Sequence, residues 1–299
     1  MEYNRVYDSN VITQKYMDSI LVEQRIIGSK VADTSTEFLG TVFSSPVMTP
    51  AFSHLKNYNG REENGLVEYS LAAKSLNILN FCGMMENDMF KRIADTGAKT
   101  ARIVKPYEDN GKIRDQLQFA EGVGAFAVGM DIDHIFGESG NDICAGEKMA
   151  VQTEDRLESY VKLTRLPFIV KGVLSVRDAI ICAEIGAKAI IVSHHHGRMS
   201  SAVPPMMVLP KIKEALKDKD VKIIVDCGIE TGMDVYKALA LGADAAAVGR
   251  SMMPALEKDG TTGVERFITH VTNELRFVMS NTGFAKVSDI DGSALWMKQ

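Results

Sequence analysis

Four short apolar runs between Pro167 and Arg250 constrain this chain more than any other feature. They read Pro-Phe-Ile-Val-Lys-Gly-Val, Ile-Ile-Val-Ser-His-His-His-Gly-Arg, Ile-Ile-Val-Asp-Cys-Gly-Ile-Glu-Thr-Gly and Ala-Ala-Ala-Val-Gly-Arg. Each is short and ends abruptly in polar or glycine positions, as a buried parallel strand does where its carboxyl end opens into a loop. Lys171, His195, Arg198, Asp226 and Arg250 all fall at or just past such ends. Charged groups that converge on one rim point to an active site rather than a core.

The same pattern recurs along the chain. Strands are expected over 45–51, 76–83, 99–107, 125–133, 167–173, 187–195, 221–228 and 243–250. Helical segments are expected over 64–75, 153–163, 175–185, 204–216, 231–241 and 262–280, with Ser175 and Thr153 as amino-terminal caps. Gly97-Ala98, Gly124-Ala125, Gly186-Ala187 and Gly242-Ala243 each end a helix and enter a strand, because glycine takes the left-handed turn at a helix end cheaply. Alternation alone fits a doubly wound sheet or a closed barrel. Eight repeats in 299 residues favour the α/β class as a single (β/α)₈ TIM barrel over residues 1–299, since such barrels run to about 250 residues. Residues 1–44 form an N-terminal helical arm with its helix over 16–25, residues 45–280 the barrel, and residues 281–299 a tail.

Composition excludes several classes. The hydrophobic share is 45%, the charged share 24% and the net charge −5, which suits a globular protein and argues against binding nucleic acid through bulk charge. Cys82, Cys144, Cys182 and Cys227 have no paired spacing, so they read as reduced thiols. No signal-type apolar core precedes Gln14, and no apolar run approaches about 18 residues. The expectation is a cytoplasmic protein, acting on a small molecule, with no membrane span.

At the strand ends, the loop from Asp226 to Gly232 and the turn at Gly249-Arg250 occupy the usual phosphate position of this fold, where backbone N–H groups and a helix N-terminus hold an anion. Gly228 and Gly232 also suit a plain tight turn, and Glu230 opposes an anion unless it points away. Lys171 ends a buried strand, so it either pairs with an aspartate or faces an electron-accepting ring. In His194-His195-His196, alternation separates His195 from its neighbours. His195 as base, Asp131 as orienting carboxylate and Arg198 as carboxylate grip form a coherent set. A metal centre is not expected: barrel metal sites carry a His-x-His pair on strand one and an aspartate ending strand eight, whereas here those ends read Thr49-Pro50-Ala51 and Gly249-Arg250.

These residues resemble the FMN-dependent 2-hydroxy acid oxidases and dehydrogenases, the group of glycolate oxidase, lactate oxidase and the flavin domain of flavocytochrome b2. Val170-Lys171-Gly172-Val173 is similar to the family's lysine strand. Ser193-His194-His195-His196-Gly197-Arg198 is similar to its Ser-Asn-His-Gly-Gly-Arg signature, Asp226-Cys227-Gly228 to its Asp-Gly-Gly loop, and Val248-Gly249-Arg250 to its closing phosphate motif. The resemblance implies FMN as cofactor. His195 would be the base, held by Asp131, and Lys171 would sit beside the flavin. Arg198 would bind the substrate carboxylate. Pro50, Ala51, Phe52, Cys82 and Ser193 would contact the cofactor, and Asp226, Gly228, Gly249 and Arg250 would hold the ribityl phosphate. Self-association, as a homotetramer, follows by analogy.

The departures lie on the substrate side. The family's Gln-x-Tyr after strand three is Ile103 and Lys105 here, which makes Lys105 a candidate substrate contact. Its threonine before Asp131 is Gly129, its second arginine is absent from Phe136-Gly137-Glu138-Ser139, and its strand-seven arginine is Glu230. The reading is an FMN oxidoreductase acting on a 2-hydroxy acid or related carbinol. Two alternatives stand beside it: an FMN isomerase resembling type 2 isopentenyl-diphosphate isomerase, with Lys105 and the paired histidines facing an anion, or a non-catalytic flavin-binding relative.

Overall fold

The computed structural model describes residues 7–138 and 140–297. The first six residues of the arm, Ser139 and the last two residues of the tail lie outside the described residues. All eight expected strands form: β1 Val47–Met48, β2 Asn80–Cys82, β3 Thr100–Val104, β4 Ala127–Asp131, β5 Phe168–Val173, β6 Ala189–Val192, β7 Lys222–Val225 and β8 Ala245–Ala247. They lie in one sheet in the order β1-β8-β7-β6-β5-β4-β3-β2, with every adjacent pair parallel. Its two ends are therefore β1 and β2.

Thr49 closes that seam. Its amide donates to Leu79 O at 3.3 Å, its hydroxyl donates to Asn80 Oδ1 at 2.8 Å, and the Phe81 amide donates to the same hydroxyl at 2.8 Å. Asn80 in turn donates to Thr100 Oγ1 at 3.0 Å and to Ser70 Oγ at 2.9 Å. A short buried polar chain thus replaces the missing ladder, and it leaves no backbone donor of Phe81 unsatisfied.

Alternation divides the apolar residues into two layers. Ala189 and Ile191 of β6 face the barrel interior together with Met48, Phe81, Ile103 and Ile224, whereas Ile190 and Val192 face the helices. A hairpin, Thr36–Phe38 with Thr41–Phe43, inserts Phe38 and Phe43 under that interior. Phe43 meets Phe126 edge-on at 5.7 Å, which places the plug at the amino ends of the strands and leaves the carboxyl ends for function.

The surrounding helices are α1 Gly65–Leu76, α2 Asn87–Asp95, α3 Asn110–Gly122, α4 Glu154–Leu163, α5 Val176–Glu184, α6 Pro205–Ala215, α7 Gly232–Ala240 and α8 Met253–Asn281. Ser175 caps α5 through the Asp178 amide, and Thr153 caps α4. Helices α2 and α3 lie outside the segments expected to be helical. Helix α8 begins at Met253 rather than at 262, and it breaks at Gly260, where φ is 57° and an added Cβ would strike the Glu68 carboxylate.

The arm and the tail differ from expectation. The arm helix spans Ser9–Ser19, capped by Asp8, and gives way to a strand, Ile20–Val22. That strand pairs antiparallel with Leu295–Met297, so the tail returns to the arm. The helix stops because Ile20, Leu21 and Val22 alternate between core and surface, a period-two pattern. The arm docks near the strand-six loop. His194 Nδ1 accepts from the Gly197 amide at 3.0 Å, which leaves Nε2–H to donate to Thr13 at 2.8 Å, and Lys237 of α7 donates to Met17 O at 2.9 Å.

Replacing Thr49 by valine keeps the shape but strands the Phe81 amide and Asn80 Oδ1. The expected loss is on the order of 2–4 kcal/mol, read as a lower urea midpoint with an unchanged slope.

Candidate functional site

The β4–β5 register sets Lys171 directly beside Asp131. Both are buried. Lys171 Nζ lies 3.9 Å from Asp131, 3.6 Å from Asp226 and 3.4 Å from Ser193 Oγ. Lys105, from the end of β3, donates to Asp131 Oδ2 at 2.5 Å and to His134 Nδ1 at 2.9 Å. An ammonium has no lone pair, so Nδ1 of His134 must accept and its Nε2–H must donate, which it does to Asp142 at 3.0 Å. Burial, followed by the charges of Lys105 and Arg198, drives His134 down to about 4.

His195 follows β6 with φ at 50°, a conformation uncommon outside glycine. Its Nδ1 lies 2.6 Å from Asp133 Oδ1 and 3.5 Å from Asp131 Oδ1. The nearer partner is therefore Asp133 and not the expected Asp131, which is shared with the two lysines. Burial pulls the His195 imidazole down, but Asp131 and the hydrogen bonds to both carboxylates outweigh it and the net shift is upward. Burial raises the Asp131 carboxyl, yet Lys171 and Lys105 hold it well below its ordinary value. Asp133, buried and beside the charge of Asp131, rises to about 6.

One cavity of about 500 Å³ brings Lys171 and His195 together with Pro50, Ala51, Phe52, Asp226, Gly228, Gly249 and Arg250. Pro50, Ala51 and Phe52 give this lining its apolar part, and Arg250 begins a 3₁₀ turn, Arg250–Met252. Asn10 and Gln14 of the arm also line the cavity, as do His196 and Cys227. The last two hold φ at 57° and 66° and stand where the resembled signature has glycine. That mismatch was the signal that could have found them. Burial pushes the Cys227 thiol up to about 12.

Other expected residues do not reach this cavity. The Cys82 side chain points outward into the layer between strands and helices and is fully buried there, because alternation gives the inward place to Phe81. Ser193 accepts from the His195 amide at 3.0 Å and from Lys171, and it lines a neighbouring cavity instead. Arg198 faces that second cavity as well, bound to Asp142 and to Phe136 O at 2.9 Å. Lys105 is 6% exposed and engaged by Asp131 and His134. The N-terminus of α7 is not free for an anion: Asp234 accepts from the Thr231 amide at 2.9 Å and Glu274 from the Gly232 amide at 2.8 Å. Two departures, Ile103 and Gly129, lie side by side in register. A Cβ on Gly129 would meet Ile169 O at 2.1 Å and Ile103 Cδ1 at 2.9 Å, so Ile103 fills the space over Gly129 with apolar surface. Asp131, His134 and His195 lie close enough to share a metal ion, but the Lys105 ammonium already bonds two of them.

The family model for FMN-dependent dehydrogenases matches residues 140–297, just over half of the 299 residues, and the chain belongs to that family. It is 27% identical over 310 residues to a 2-hydroxyacid oxidase of Dictyostelium discoideum, spanning 92% of this chain and 79% of that protein. It is 38% identical over 169 residues to an L-lactate oxidase of Nostoc sp., spanning 56% of this chain but only 46% of that protein. A mandelate oxidase variant carrying a monooxide FMN adduct superposes with a TM-score of 0.85 at 26% identity, over 97% of this chain and 91% of it.

The residues present fit FMN. The Pro50–Phe52 segment offers apolar surface to a ring, Lys171 supplies a buried cation, and Arg250 supplies a guanidinium for a phosphate.

Because two carboxylates favour the imidazolium, the neutral ring of His195 accumulates only above the ordinary value of 6.5. A ¹⁵N titration of the His195 ring is expected to show that elevation, and Asp133→Asn is expected to lower it. An unshifted titration in the variant would contradict the assigned partner.

Proposed function

We propose that this chain oxidises a 2-hydroxy acid or a related secondary carbinol, with bound FMN as the two-electron acceptor. The observation that carries this reading is the meeting of His195 and Lys171 on one cavity that Arg250 also lines. His195 is the base. Asp133 holds Nδ1–H at 2.6 Å, which leaves Nε2 to take the hydroxyl proton. Asp131 fixes the lysines and adds its charge to the protonated ring. Lys171 keeps a positive charge against the cavity where negative charge arrives.

The isomerase alternative gains no support from the relatives. Lys105, its intended anion contact, is engaged by Asp131 and His134. The non-catalytic alternative leaves unexplained why a strained histidine is kept oriented by a buried carboxylate. None of the helices is long and apolar enough to cross a membrane, among the described residues. Cytoplasmic residence, inferred from the scattered thiols, and a homotetramer, inferred by analogy, complete the proposal.

Purified protein is expected to bind FMN and turn yellow, and to bleach anaerobically with at least one member of a panel of 2-hydroxy acids and carbinols. His195→Ala should keep the flavin and slow bleaching by about 10²–10⁴-fold. Colourless protein that refuses FMN, or unchanged bleaching in the variant, would contradict the proposal.

A further inference from the structure

Arg198 is the residue expected to grip a substrate carboxylate, yet a carboxylate of the chain already holds it. Its Nη2 donates to Asp142 Oδ2 and to Phe136 O at 2.9 Å. Asp142 is itself fixed from several sides. The His134 Nε2–H reaches the same oxygen at 3.0 Å, and the Ile143 amide donates to Oδ1 at 2.9 Å. Its backbone is tied as well, through its amide to Ile135 O at 2.7 Å and its carbonyl from the Met149 amide at 2.9 Å. His134 is oriented in turn by Lys105. Asp142 is therefore held in one orientation by several partners, although the pair it makes with Arg198 stays about a quarter exposed.

The cations around His195 each pair with a carboxylate of the chain. Lys105 has Asp131, Lys171 has Asp226 and Asp131, and Arg198 has Asp142. Asp133 adds a further carboxyl group on the Nδ1 side of the imidazole. Arg198 is also turned into the cavity of about 750 Å³ that it shares with Asp133, not the one that holds Lys171. A substrate carboxylate that reached for Arg198 would have to displace Asp142 while facing Asp133, which lines the same cavity.

We propose that Asp142 is a specificity-determining residue: it occupies Arg198 as an internal carboxylate, so the site selects an uncharged 2-hydroxy carbonyl compound, an amide or ester, over the free 2-hydroxy acid. The inference rests on the oxidase reading above. The reaction is unchanged in kind: the carbinol carbon gives up its hydrogen and two electrons to bound FMN, the hydroxyl proton passes to His195, and a carbonyl forms.

The test uses FMN-loaded wild type, Asp142→Ala and Asp142→Asn with two probes of equal size, 2-hydroxy-2-phenylacetate and 2-hydroxy-2-phenylacetamide. Calorimetry gives the affinity of each, and anaerobic bleaching gives turnover. Wild type is expected to bind the amide about tenfold or more tighter than the acid. Both variants are expected to tighten the acid by about tenfold or more, the scale of a charge-assisted hydrogen bond, with the amide nearly unchanged. The proposal is overturned if wild type binds the acid as well as the amide, if both variants leave the acid unchanged, or if neither probe binds any of the three proteins. Affinities that shift as expected without any bleaching would uphold the charge selection and count against the oxidase reading instead.

Discussion

The buried carboxylate of Asp131, set between the ammonium groups of Lys171 and Lys105, is the interaction on which the rest of the rim depends. The barrel creates it: parallel register pairs Lys171 with Asp131 across β4 and β5, and β3 delivers Lys105 from the other side at 2.5 Å. Burying any of these charges without a partner would be costly, and removing one partner of a buried pair costs about 3–5 kcal/mol. The seam at Thr49 matters for the same reason, because a sheet that failed to close would not hold neighbouring strand ends in register.

From that centre the geometry spreads in two directions. Toward the cavity, Lys171 presents charge and His195 presents a ring nitrogen, with Asp133 behind it. Away from it, Lys105 sets the tautomer of His134, His134 helps seat Asp142, and Asp142 takes Arg198. The departures from the resembled family thus form a connected set. A lysine in place of a tyrosine requires new acceptors, and Asp131 and His134 supply them. An isoleucine in place of a glutamine lies against Gly129, where the backbone of Ile169 leaves no room for a Cβ.

Much of this was legible in the sequence, and the reasons are physical. The eight strands were readable because buried parallel strands are short, apolar and sharply ended. Lys171, His195, Asp226 and Arg250 were readable because a charged residue at such an end needs a purpose. The arm helix was misplaced because 16–25 has an apolar pattern compatible with either period, and only pairing with Leu295–Met297 resolves it. Cys82 was misassigned because the side a strand residue faces depends on register, which one strand does not reveal. Asp133, His134 and Asp142 lie in the loop after β4, where no periodicity tells which side chains turn back toward the site. His196 and Cys227 were visible only as side chains at glycine positions of the signature.

The most direct test of this account is the midpoint potential of bound FMN in wild type, Lys171→Met and Lys171→Arg. If Lys171 holds its charge against the flavin, the methionine variant will have a more negative potential and arginine will restore most of the difference. Equal potentials in all three proteins would show that Lys171 does not face the cofactor, and the arrangement described here would be wrong at its centre.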